Sequence, residues 1–191
     1  MEKFIKKLSL SDKKMFIIAI VTTCIMLVCV STTTALLISI TGPVENIFTI
    51  GNIQIELAET TGQTYQLIPG TVIEKDPLIT VKSGSEDCWL FVKIDKTTDF
   101  DEYLTFEVED GWTLLGGYPG VYYRSVESTE EDLYFFVLAD NSIFVKNTIT
   151  KEKMSEISSA PTLSFKAYAV QENGFEGAAD AWGLILSEGE E

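Results

Sequence analysis

The groups able to do chemistry in this chain are mostly carboxylates, gathered most densely at Asp99, Asp101 and Glu102 and again at Glu130, Glu131 and Asp132. Paired carboxylates can act as acid and base in hydrolysis, or hold calcium through several oxygens. A calcium loop needs those oxygens in a D-x-D-x-D-G order, which neither cluster has, and acidic runs beside turns ordinarily form solvated surface. The 191 residues include no histidine. That removes the Ser-His-Asp and Cys-His nucleophile pairs, the HExxH zinc helix and every imidazole ligand. Of the three cysteines, Cys24 and Cys29 lie in an apolar run near the N-terminus, which leaves Cys88 without an intrachain disulfide partner in the domain. An unpaired cysteine of this kind reads as core packing rather than as a reactive thiol. Trp89, Trp112, Tyr118, Tyr122, Tyr123 and Trp182 are numerous enough to build a ligand shelf of the kind glycan-binding proteins use. Strands favour aromatic residues in any case, so core packing is the expectation for them too. The chain reads as a non-enzyme with no catalytic residue, no metal site and no cofactor.

The formal net charge is −15, yet Lys3, Lys6, Lys7, Lys13 and Lys14 crowd the N-terminus, so the remainder is more acidic still. Such a surface repels phosphate backbones, and nucleic acid is excluded as a partner. Met15 to Val30 carries no charge and is followed by the small residues Ser31 to Ala35. This is the order of a secretory signal: basic, apolar, then cleavable. Neither Cys24 nor Cys29 follows the small residue that a lipoprotein cysteine requires. Apolar character resumes from Leu36 to Ile40, so residues 15–40 could instead cross a bilayer as a helix. Residues 1–35 are therefore a signal peptide or a membrane anchor, and residues 36–191 an extracellular domain. Both alternatives keep the lysine cluster in the cytoplasm and confine any membrane contact to residues 15–40.

Beyond Gly42-Pro43 the periodicity is two. Ile53, Ile55 and Leu57 share one face, while Phe48 and Ile50 have the opposite parity, so a bend at Gly51-Asn52 is needed to turn both sets inward. Pro69-Gly70 predicts a type II turn, and Asp76-Pro77 opens an extended segment from Leu78 to Lys82. Cys88 to Ile94 is apolar on both faces, as a central strand covered from two sides would be. Leu104, Phe106 and Val108 alternate with polar residues, and Asp110-Gly111 predicts a tight hairpin leading into Trp112 to Leu115. Further strands are expected at Val121–Arg124, Leu133–Leu138, Ile143–Val145 and Leu163–Val170, with helix only at Lys151–Ile157 and Ala178–Leu186. The fold class is all-β: an antiparallel β-sandwich, jelly-roll-like, with one or two short helices behind an N-terminal hydrophobic export segment.

Several stretches then fall in a familiar order: Asn46-Ile47-Phe48-Thr49-Ile50-Gly51-Asn52-Ile53, Ile68-Pro69-Gly70-Thr71, Glu74-Lys75-Asp76-Pro77 and Gly84-Ser85-Glu86-Asp87-Cys88. Together with Ala167 to Gln171 and Ala178 to Trp182, they resemble the TasA/camelysin family of proteins exported with SipW-type signals. One stretch departs from that pattern: Ala35-Leu36-Leu37-Ile38-Ser39 stands where the family has A-Y-F-(T/S)-D. The resemblance implies secretion to the surface of a Gram-positive-type cell, processing by a SipW-like signal peptidase, and a jelly-roll domain. It also implies self-assembly, or assembly with other matrix proteins, into biofilm fibres. Camelysin was named as a metalloprotease, a rival activity for which this chain has no histidine to offer; a surface binding module is the third class.

The segment after the export signal is the candidate assembly strand. Leu36, Leu37, Ile38 and Ile40, then Ile47, Phe48 and Ile50, are extended and apolar on either side of Gly42-Pro43. Freed at its N-terminus, such a segment is a sticky edge. The resemblance implies that it completes a sheet of the next subunit, head to tail. The alternative is the end of a membrane anchor followed by a strand paired within its own chain.

Overall fold

The computed structural model describes residues 37–38, 47–62, 65–157 and 159–188, which belong to one compact unit beginning at Leu37. In chain order the first strands are β1 (Leu37–Ile38), β2 (Ile47–Ile50), β3 (Ile55–Ala58), β4 (Tyr65–Gln66), β5 (Val72–Glu74), β6 (Leu78–Val81) and β7 (Cys88–Lys96). After helix α1 (Phe100–Tyr103) come β8 (Leu104–Thr105), β9 (Thr113–Leu114), β10 (Val121–Val126), β11 (Leu133–Phe136) and β12 (Ser142–Val145). Helix α2 (Lys151–Ser155), β13 (Leu163–Gln171) and helix α3 (Ala178–Glu188) complete the order. The described residues are all-β, with strands in largely antiparallel sheets and few short helices.

Strand β7 is the centre of a five-stranded sheet ordered β2-β13-β7-β10-β9. Its residues alternate between two cores, which is why Cys88 to Ile94 is apolar at nearly every position. Leu90, Val92 and Ile94 join Phe165, Ala167 and Ala169 of β13 in the main core, together with side chains of β3, β5, β6 and β12. Those four strands sit in two three-stranded sheets, β11-β6-β3 and β5-β12-β8. On the opposite face Phe91 and Val170 pack with Ala178, Ala181, Trp182 and Ile185 of α3 in a second core. The C-terminal helix thus covers the outer face of the central sheet.

The turn chemistry is largely as expected. Gly70 has φ 79° and Thr71 N–H donates to Ile68 O at 3.1 Å, the closure of a type II turn at Pro69-Gly70. Thr150 caps α2 by accepting from Lys153 N–H at 3.3 Å.

Three expectations need correction. First, one pairing is parallel, not antiparallel: β2 runs beside β13, with Phe48 opposite Tyr168 and Ile50 opposite Val170. Alternation says which side chains face inward, but not which way the neighbouring strand runs. Second, the bend at Gly51 exists, with φ 101°, but it serves two cores instead of one. Phe48 and Ile50 pack on the outer core beneath α3, whereas Ile53, Ile55 and Leu57 enter the main core. Third, Asp110-Gly111 does not join paired strands. Strand β8 pairs with β12, Val108 makes a lone bridge with Leu138, and β9 pairs with β10 across the glycine-rich loop instead. In that loop Gly120 (φ 79°) approaches so closely that a Cβ would stand 2.6 Å from the Ile94 carbonyl oxygen.

Candidate functional site

Strand β2 carries Ile47, Phe48 and Ile50 at one end of the five-stranded sheet, bonded among the described residues to β13 alone. Its side chains divide: Ile47 is 49% exposed, while Phe48 and Ile50 are half-buried against the outer core. The chain leaves this edge at Gly51, where a Cβ would meet the Gln171 side-chain oxygen at 2.9 Å. Leu37 and Ile38 form β1 and pair antiparallel with Gln66 and Tyr65 of β4. Leu36 and Ile40 lie outside the described residues, as does the export segment apart from Leu37 and Ile38. Both described pieces of the candidate assembly segment are therefore paired within the chain, each in a peripheral position.

The carboxylate clusters are dispersed into surface contacts. Asp101 accepts from Lys96 Nζ at 2.6 Å and Glu102 pairs with Lys153 Nζ at 2.9 Å, while Asp99 flanks α1 without capping it. Asp132 accepts from Ser83 N–H at 2.9 Å and pairs with Lys82; that backbone hydrogen bond and the ammonium hold its carboxyl below the usual range, against a smaller opposing effect of burial. Glu130 lies in the lining of an open polar groove of about 520 Å³ that also includes Ser85, Glu86, Asp87, Ser128 and Asn173. Among the described residues, no three of His, Cys, Asp or Glu are grouped so as to hold a metal ion.

Cys88 is fully buried, and burial, reinforced by Asp87 and Glu172, pushes its thiol up to about 12. The aromatic residues do not form an open shelf. Trp182, 2% exposed, meets Phe91 and Tyr168 with ring centroids at 5.2 Å, and Tyr118 at 6.4 Å. Trp89 stands edge-on to Tyr123 at 5.8 Å, and Tyr122 packs on the main core. Trp112 donates from Nε1 to Phe136 O at 2.8 Å and shares the Arg124 guanidinium with Phe135.

The polar cluster that sequence reasoning missed is internal. Lys75 is wholly buried and its Nζ lies 2.5 Å from Glu59 Oε1, with the Glu59 side chain 2% exposed. Asp76, next in sequence, turns the other way and accepts from the backbone N–H groups of Thr60 and Thr61 at 2.9 Å each, and from both threonine hydroxyls. Burial works against the ionised Asp76, but these hydrogen bonds outweigh it and bring its pKa down to about 2. The signal was present in the parity: Glu59 continues the inward series Ile53, Ile55, Leu57, and Lys75 follows Ile73 by two. Two opposite charges that continue the inward series just past the ends of β3 and β5 are a pairing hint that the composition of the surface hides.

No family model, no curated protein and no solved structure gives a significant match to the chain. The fold and its polar residues define an all-β domain in which the two carboxylate clusters lie at the surface and the shortest ion pair among the described residues, Lys75–Glu59, is buried.

Proposed function

We propose that the chain is a non-enzymatic, exported structural protein, a subunit of cell-surface or biofilm-matrix fibres. In this reading residues 1–35 direct export as a signal peptide or anchor, a SipW-like peptidase acts there, and residues 36–191 form a jelly-roll-like extracellular sandwich. Subunits join when the N-terminal segment of one copy, Leu36–Ile40 with Ile47–Ile50, takes a place in a sheet of the next. The resemblance of the export-signal, Pro-Gly and Lys-Asp-Pro stretches to the TasA/camelysin family suggests this class.

The observation that carries the reading is the position of β2. Among the described residues it is an edge strand bonded on one side only, it precedes most of the fold, and a glycine bend separates it from β3. Exchanging it for the same strand of another copy leaves the rest of the sheet order intact and preserves every main-chain hydrogen bond it now makes. Filaments imaged by negative stain in exported wild-type material, and a folded monomer without filaments after deletion of Leu36–Ile40, are the expected results. Unchanged filaments after the deletion would end the strand-exchange reading, and casein cleavage abolished by a chelator would end the non-enzymatic one.

A further inference from the structure

Lys75 and Glu59 place an amine and a carboxyl in contact inside the main core. The Nζ–Oε1 separation is 2.5 Å, and the rings of Phe165 and Tyr65 stand 5.6 and 5.9 Å from Nζ. The second carboxyl oxygen, Glu59 Oε2, is buried without a hydrogen-bond partner among the described residues, and so is the Tyr65 hydroxyl. Asp76 does not compete for the ammonium, because Thr60 and Thr61 occupy its oxygens. An ion pair kept from water repays its desolvation only when its remaining polar atoms are satisfied, and here one is not. A covalent bond removes both charges at once.

We propose that Lys75 and Glu59 condense to an intramolecular isopeptide bond that ties the end of β3 to the end of β5. One ammonium proton crosses the short contact to Oε1, and the neutral amine attacks Glu59 Cδ. The Cδ–Oε1 bond then breaks as that oxygen takes a second proton from the nitrogen and leaves as water. The ammonium and carboxylate thus become one amide and one water, with no oxidant or cofactor. Contact between the reacting groups supplies the proximity whose absence makes an uncatalysed amide synthesis slow in solution. Burial of both side chains, 0% and 2% exposed, keeps bulk water from the product. The closed loop, residues 59–75, contains β4, the strand that pairs with β1, so the bond clamps the docking place of the N-terminal segment.

The proposal is independent of fibre assembly and is tested by mass spectrometry of the full chain as exported, with its N-terminus determined on the same sample. The wild-type mass is expected to fall one water below the formula mass. Trypsin should fail to cut after Lys75, and fragmentation should join Glu59 to Lys75. Glu59→Gln should lose one ammonia instead of one water, and Lys75→Arg should keep its formula mass. A wild-type chain at its formula mass with normal cleavage after Lys75 overturns the proposal, as does a water loss located elsewhere. The wild-type measurement decides by itself, so a variant that fails to fold does not obscure the result.

Discussion

Trp182 is the residue whose loss reports most directly on the outer core. Replacing it by alanine withdraws the indole from Phe91, Tyr168 and Tyr118 and leaves α3 with alanines and Ile185 against the sheet. A buried indole removes about 200 Å² from water, worth about 5 kcal/mol at about 25 cal/mol per Å². Against this stands its Nε1–H, which is buried without a partner among the described residues and costs about 1–2 kcal/mol where it is. The expected loss for Trp182→Ala is therefore about 3 kcal/mol, at the low end of the usual range for tryptophan truncation. Trp182→Phe keeps a ring against Phe91 and Tyr168 and removes the orphan donor, so its cost should be about 1 kcal/mol or less. Urea unfolding followed by far-ultraviolet circular dichroism measures both without relying on tryptophan emission. A loss below about 1 kcal/mol for the alanine variant would show that α3 does not close a core and that the aromatic residues belong to an open surface. Equal losses for the two variants would refute the argument from the orphan indole.

Gly120→Ala should be strongly destabilising, by about 2–4 kcal/mol, because the position combines a left-handed φ with a carbonyl oxygen 2.6 Å from the new Cβ; thermal unfolding measures it. Asp76 has a folded pKa of about 2 against an ordinary 3.8, so its stabilisation is fully present above about pH 4 and is lost as pH falls through about 2. Discounted for its partial exposure, that contribution is about 1 kcal/mol, and Asp76→Asn should flatten the acid limb of a stability–pH curve by that amount. Cys88, buried with its thiol held near 12, should resist iodoacetamide in the native protein and react only on unfolding, which a labelling time course followed by peptide mapping detects.

The parts of the fold legible in the sequence are those where a local rule decides. Cys88 to Ile94 is apolar on both faces because two cores flank it, and Pro69-Gly70 turns where fixed and positive φ are required. Helix α3 was visible from Ala178 onward as a run whose small and large apolar residues return at helical spacing. What was not legible depends on partners distant in sequence. The parallel pairing of β2 with β13 joins residues more than a hundred positions apart, and nothing in Ile47–Ile50 states its direction. Helix α1, a single turn of Phe100 to Tyr103, is too short to show a period and is held by Phe100 and Tyr103 in the core. The Lys75–Glu59 pair escaped because each residue looks like surface in its own segment, and only their common inward parity across two strands brings them together.

The exchange of β2 between copies is the central claim, and disulfide trapping tests it most directly. Thr49 and Ala169 face each other across the β2–β13 pairing. Copies carrying only Thr49→Cys are mixed with copies carrying only Ala169→Cys, oxidised under filament-forming conditions, and resolved without reductant. Strand exchange predicts a disulfide joining Thr49→Cys of one copy to Ala169→Cys of another, mapped to those two peptides and present in filaments but not in monomer. If filaments form and those two positions never join between copies, while a chain carrying both substitutions links only to itself, β2 stays in its own sheet and the account of assembly is wrong.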